Sequence, residues 1–372
     1  MLDPRYRIEN TNEIFTPALI VFRELLEQNL DTMIRIAGRP ERLRPHCKSH
    51  KMAEVTQLEL AKGIVKHKCA TLAEAEMLAR AGVRDIFLAY NLVGPNIRRA
   101  VRLLQSFPGV RLAVTADHPQ PATALGQAMH GAGLSADVLL DIDTGMHRTG
   151  MDIGAEARAL YRQIADTPGL QPGGLHVYDG QNHQTAVAER RAAVHAAWQR
   201  VVSLRDQLVA AGLPVPRIVA GGTGTFPIYA AIDDPTLELS PGTTVFYDAG
   251  YTATFPDLQF QIAAVLLTRV ISRPGKDRLT VDLGYKACAS DPPAGRRLVF
   301  PDLPEARELL QNEEHLVLRT DRASQVQPGD ELIAIPWHIC PTTALHKQVY
   351  VISRGRLVGR WEVAARDRCL TI

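Results

Sequence analysis

The chain has 372 residues, enough for one barrel of roughly 250 residues plus a smaller domain, or for two or three ordinary domains. With 46% hydrophobic residues, 22% charged residues and a formal net charge of +2, its composition is that of a globular protein and argues against disorder or a dedicated nucleic-acid surface. The cysteines number five, an odd count with no CxxC pair, which argues against a disulfide framework.

The opening stretch MLDPRYRIENTNEIFTP carries charges and a proline where an export signal needs an apolar core, and no run of about 18 apolar residues follows it. The expectation is a cytoplasmic protein with neither a membrane nor a nucleic acid as partner. From residue 17 to about 245, short apolar runs alternate with helix-length segments, the rhythm of parallel strands joined by crossover helices. The predicted strands are 17–22, 44–50, 65–71, 85–90, 110–117, 137–143, 173–180 and 216–222. Helical patterns such as AEVTQLELAKG and LAEAEMLARAG lie between them, several closed by a glycine suited to a helix C-terminus. Eight such repeats predict an α/β fold, a (β/α)8 TIM-type barrel.

After Pro241 the rhythm changes. Strand-like runs such as QIAAVLLTRVIS, DELIAIP and KQVYVISRG follow one another with turns like PGKD and QPGD in place of long helices. The expected division is a barrel over residues 14–245 and a β-rich C-terminal domain over 246–372, joined by residues 1–13.

A barrel carries its active site at the C-terminal ends of its strands. The polar residues there are His46, Lys48, His50, Lys51, Tyr90, Asp117, Asp141, Asp143, His147, Arg148, His176, Tyr178, Asp179, His183 and the loop GGTGT at 221–225. RPHCKSHKM is the densest run. Strand alternation puts His46, Lys48 and His50 on one side and Cys47, Ser49 and Lys51 on the other. A lysine among apolar walls and other cations loses basicity, which suits Schiff-base formation, although the spacing alone fits solvated charges on a loop rim equally well. GGTGT could offer backbone amides to an anion, or could be a simple tight turn. In PWHICPT, His338 and Cys340 alternate and so share one face of a strand or extended loop. Imidazole and thiolate suit zinc, and a core cysteine beside a hydrogen-bonded histidine gives the same pattern.

In order along nearly the whole chain, TPALIV, RPHCKSHK, KCATLAEAEMLARAG, DIFLAYNLVGP, DIDTGMHRTG, YDGQNHQ, GGTGT and HICPT resemble the D-threonine aldolase and D-serine dehydratase family. These are pyridoxal-phosphate enzymes of fold type III, related to bacterial alanine racemase. The resemblance implies that Lys48, and not Lys51, is the Schiff-base lysine. It places the cofactor phosphate at Gly222, Thr223 and Gly224, Arg148 and Tyr178 beside the cofactor ring, and His183 near the substrate hydroxyl. It makes His338 and Cys340 ligands of a divalent metal, zinc, manganese or magnesium. The implied activity is that of a lyase on D-3-hydroxy amino acids, foremost D-threonine aldolase, giving glycine and an aldehyde. D-serine or 3-hydroxy-D-aspartate dehydratase is the alternative, because aldolases of the family usually pair the histidine with aspartate and dehydratases with cysteine. Amino-acid racemase and non-catalytic cofactor carrier are the remaining readings. The family also implies a homodimer.

Overall fold

The computed structural model describes residues 4–372, which divide into two compact units. One unit comprises the segment ending at Thr32, Ser49–Met52 and Thr243–Arg366; the other comprises Met33–Lys48, Ala53–Gly242 and Asp367–Ile372.

The strand nearest the N-terminus, β1 (Ala18–Phe22), is buried at all five positions and does not join the barrel. It pairs parallel to a strand near the C-terminus, with Ile20 opposite Tyr350, and antiparallel to another, with Leu19 opposite Leu266. The expected first barrel strand is therefore part of the other unit's sheet. An apolar run declares that it is buried but not against which neighbour.

The barrel unit holds seven parallel strands in sequence order among the described residues: β2 (Lys66–Cys69), β3 (Asp85–Asn91), β4 (Arg111–Ala116), β5 (Ala136–Asp141), β6 (Leu170–Val177), β7 (Ile218–Ala220) and β8 (Leu237–Leu239). The predicted strand at 44–50 is instead a 3-10 turn, Cys47–Ser49, preceded by extended chain. That extended chain closes the ring. Leu43 bridges parallel to Leu239 and His46 parallel to Lys68, so residues 43–46 act as an irregular eighth stave between β8 and β2.

Crossover helices return the chain between strands. Helix Leu72–Arg80 starts at Thr71, whose side chain accepts a hydrogen bond from the amide of Glu74, and Glu74 in turn accepts from the amide of Ala70 at 2.6 Å. This reciprocal capping meets two donors that the helix start would leave without partners. Gly174 sits at φ +108°, and a Cβ there would collide with the carbonyl of Arg217. Only glycine lets β6 approach β7 at that point.

Phe87, Ala113, Leu139 and Val219 pack into one apolar cluster. A second layer of the barrel unit is ionic. Arg44 is fully buried and donates to Glu238 at 2.5 Å and Asp85 at 2.7 Å, while Lys66 reaches Glu238 at 2.7 Å.

The other unit is a β-rich sheet of nine strands among the described residues. To β1 it adds β9 (Ala264–Ser272), β10 (Arg278–Val281), β11 (Leu298–Val299), β12 (Arg307–Gln311), β13 (Leu316–Arg319), β14 (Glu331–Pro336), β15 (Gln348–Ser353) and β16 (Arg356–Glu362). Its pairs are antiparallel except β1 with β15.

Candidate active site

In the barrel unit three basic side chains gather at Tyr178, which follows β6. The Nζ of Lys48 lies 5.8 Å from the centre of its ring, the Nζ of Lys68 5.7 Å, and the guanidinium carbon of Arg148 5.0 Å. Three basic groups around one aromatic ring, the Arg148 guanidinium permanently charged, form a region that favours an anionic ligand. The 3-10 turn, and not strand alternation, gives Lys48 this position, with its amide donating to His46 Nδ1 at 3.3 Å. Lys51 belongs to the other unit, in left-handed conformation at φ +56°, where its Nζ donates to the carbonyl of Ala365 at 3.5 Å.

The GGTGT loop borders the same ring. Gly221 lies at φ +80°, and a Cβ at Gly222 would stand 3.2 Å from the ring of Tyr178. Gly222 donates its amide to Thr225 Oγ1 at 3.2 Å, Thr225 donates to Asp179 at 2.8 Å, and Thr223 Oγ1 accepts from Gly242 at 3.3 Å. Burial pushes the Asp179 carboxyl up from its ordinary value. Gly224 lies in the turn that enters helix Phe226–Ala230. A turn with glycine at 221 and 222 beside an aromatic ring, with a lysine amine and an arginine at the same ring, fits a phosphorylated aromatic aldehyde such as pyridoxal phosphate.

Lys68, absent from the sequence candidates, is the most deeply placed cation of the group, 3% exposed. Its Nζ is 2.9 Å from His176 Nε2, and His176 Nδ1 is 2.7 Å from Asp141. Burial, then the charge of Lys48, brings Lys68 down to about 7. Its signal in the sequence is weak: in KHKC, alternation sets Lys66 and Lys68 together, and nothing local says that the second is buried.

His183 is exposed on the loop after β6, its amide donating to Gln181 at 3.0 Å. No ring contact or hydrogen bond among those described ties its side chain to the Tyr178 cluster. Asp143 and His147 pair with each other at 2.9 Å, Asp117 accepts from the amide of Gly150 at 2.9 Å, and Tyr90 is exposed.

The second constellation lies in the β-rich unit. His338 and Cys340 are not on a strand: β14 ends at Pro336, His338 is the N-cap residue of helix Ile339–Leu345, and Cys340 lies in its first turn. The helix start brings together what strand alternation was expected to bring together. Cys340 Sγ is 3.1 Å from Ser49 Oγ and 3.3 Å from Thr243 Oγ1, and His338 Nδ1 is 2.5 Å from Asp291. Burial opposes ionisation of the thiol, but the hydrogen bond and charge of His338, with Ser49 and Thr243, hold it below its ordinary value. Burial likewise opposes the imidazolium, yet Cys340 and Asp291 push His338 up to about 9. A thiol inclined to ionise, an imidazole and a carboxylate behind the imidazole fit a zinc-like divalent ion, with Asp291 as the group that orients the histidine. Asp291 was not legible in the sequence, because its only tie to His338 is through space.

A curled parallel sheet with a lysine, an arginine and a tyrosine at its strand ends, accompanied by a separate antiparallel sheet, is the alanine racemase-like fold. Residues 23–249 match the family profile "Alanine racemase, N-terminal domain", and residues 263–352 match a serine dehydratase domain. The D-threonine aldolase of Arthrobacter sp is 32% identical over 98% of this chain and 94% of its own. The crystal structure of D-threonine aldolase from Filomicrobium marinum superposes with a TM-score of 0.87 at 30% identity, covering 95% of both chains. A D-threo-3-hydroxyaspartate dehydratase, solved as a cysteine-to-alanine variant in its metal-free form, gives 0.83 at 25% identity over 94% of this chain and 97% of that one. The chain belongs to the D-threonine aldolase and D-serine dehydratase family.

Proposed function

We propose that this pyridoxal-phosphate-dependent lyase acts on D-3-hydroxy amino acids with the help of a divalent metal, cleaving D-threonine to glycine and an aldehyde. The observation that carries the reading is the meeting of Lys48 and Arg148 on the ring of Tyr178, beside the side-chain-free turn at Gly222.

Lys48 supplies the amine that holds the cofactor aldehyde, Tyr178 a flat apolar face for its ring, and Arg148 a positive charge beside it. Gly222, Thr223 and Gly224 receive the phosphate. When bound, pyridoxal phosphate supplies an electron sink for charge that develops at the substrate α-carbon. His338 and Cys340 hold the metal, which supplies a Lewis acid for the β-hydroxyl. The role of His183 at the hydroxyl proton rests on its motif alone. We infer a homodimeric, cytoplasmic enzyme from the family; no helix among the described residues is long and apolar enough to cross a membrane.

One observation favours a second reading. The soft sulfur of Cys340, beside Ser49 and Thr243, would suit zinc, which would supply a Lewis acid for loss of the β-hydroxyl, and that is dehydration to ammonia and a 2-oxo acid. Incubation with D-threonine, D-serine and D-threo-3-hydroxyaspartate separates the readings: glycine with an aldehyde means aldol cleavage, ammonia with a 2-oxo acid means dehydration. Lys48→Ala is expected to lose the visible absorbance of the lysine-bound cofactor; its retention would sink the assignment of Lys48.

A further inference from the structure

The barrel site holds a second amine that the mechanism above does not use. Lys68 Nζ touches His176 Nε2 at 2.9 Å, and His176 Nδ1 touches Asp141 at 2.7 Å. Burial raises Asp141, but the hydrogen bonds from His176 and Thr149 hold it below the ordinary carboxylate range, so it is the acceptor. Burial lowers His176 and so favours its neutral ring. His176 therefore donates from Nδ1 to Asp141 and accepts from Lys68 at Nε2. Below them lies Phe87, whose ring meets His176 edge-on at 5.2 Å and lies 5.9 Å from Lys68 Nζ. One hydrogen bond and one apolar floor thus position the amine. Lys68 and Lys48 then address the same Tyr178 ring, at 5.7 and 5.8 Å.

We propose that Lys68, held by His176 and Asp141, carries the proton that must move when a substrate amine exchanges with Lys48; this rests on the assignment of Lys48 as the cofactor lysine. An amino acid arrives as an ammonium ion, which has no lone pair with which to attack. The neutral Lys68 amine takes one proton, leaving the substrate as a free amine and Lys68 as an ammonium. As Lys48 is released with its own free amine, the proton passes from Lys68 to Lys48. The proton count is unchanged, and Lys68 is neutral again for the next exchange. The charged groups facing Lys68 are Lys48 and Arg148, which favour its neutral form, and Asp141 and Asp179, which oppose it; with burial foremost, the balance brings it to about 7.

D-Alanine isolates the exchange, since it has the amine and no β-hydroxyl. Followed in the holoenzyme by the change in cofactor absorbance, the exchange rate should rise with pH through a single midpoint, that of Lys68. Lys68→Met should keep the absorbance, slow exchange by about 100-fold and lose the midpoint. Lys68→Arg, permanently charged, should be equally slow, and decides the matter if the methionine variant does not fold. Asp141→Asn should move the midpoint down, because Asp141 favours the charged lysine. The same downward move should appear in the cofactor-free full chain as the pH dependence of Lys68 methylation by formaldehyde and borohydride, read by peptide mass spectrometry. Wild-type exchange rate and midpoint in both Lys68 variants would overturn the proposal, as would a methylation midpoint indifferent to Asp141→Asn. Wild-type protein without the absorbance would overturn the Lys48 assignment instead, a different result.

Discussion

Asp291 lies 2.5 Å from His338 Nδ1, which leaves Nε2 as the imidazole nitrogen for a metal. A carboxylate behind a ligating histidine fixes the ring and raises its basicity. Asp291→Ala should therefore weaken zinc binding by about 10- to 100-fold, measured by competition with a chromophoric chelator, while the fold is unchanged. Equal affinity in the variant would remove Asp291 from the centre.

In the proposed metal centre the sulfur of Cys340 sets which ion is preferred. Replacing its sulfur with a hard ligand, Cys340→Asp, should shift the preferred ion from zinc toward manganese, read as metal content after equilibration with both. Aldol cleavage should gain on dehydration in the same variant, and an unchanged metal preference would contradict the assignment.

Tyr178 has its place because Gly180 has no side chain. A Cβ at Gly180 would lie 2.5 Å from the Tyr178 ring, closer than two carbons tolerate, so the ring must move. Gly180→Ala should raise the dissociation constant for pyridoxal phosphate about tenfold or more, by spectral titration, with circular dichroism unaltered.

Arg44 is wholly buried between Asp85 and Glu238. Its removal leaves two largely buried carboxylates with Lys66 and Arg111 as their remaining ion-pair partners among the described residues, at 2.7 and 2.6 Å. Arg44→Met should cost about 3 kcal/mol, seen as a lowered midpoint in chemical denaturation. A loss under about 1 kcal/mol would show that the remaining cations suffice.

The same network predicts the acid limb of stability. Burial raises both carboxylates, but the charge and hydrogen bond of Arg44 outweigh it and hold Asp85 and Glu238 below their ordinary values. A carboxylate depressed in the folded state stabilises above its unfolded value, and that stability is lost as pH falls through the folded one. Unfolding free energy should decline below about pH 4. Glu238→Gln should flatten that decline while lowering stability at neutral pH; an identical slope would count against the network.

The barrel was legible because its strands are short apolar runs between amphipathic helices, as 85–90 shows against the observed Asp85–Asn91. Pairing was not. Ala18–Phe22 and residues 44–50 looked like barrel strands, and the partners that decide otherwise are distant in sequence. Leu237–Leu239, three residues long, is too short to show a period, yet it closes the barrel onto Leu43. Lys48 reaches the ring of Tyr178 from a 3-10 turn where alternation predicts a strand. Lys68 escaped notice because burial of a lysine is set by His176 and Asp141 on two other strands. His338 and Cys340 were found as a pair, but Ser49, Thr243 and Asp291, which tune them, approach only in the folded chain.

The pairing of β1 with β15 also bears on how the protein is made. Ile20 leaves the ribosome about 330 residues ahead of Tyr350, so the buried strand Ala18–Phe22 must wait through the synthesis of that span for this neighbour. During the wait it is an apolar segment with a bare edge, the kind of segment that chaperones cover and that aggregates when they do not. A permuted chain that begins before β15 and joins the old termini with a flexible linker would bring the two strands out together, and should yield more soluble protein at the same final stability.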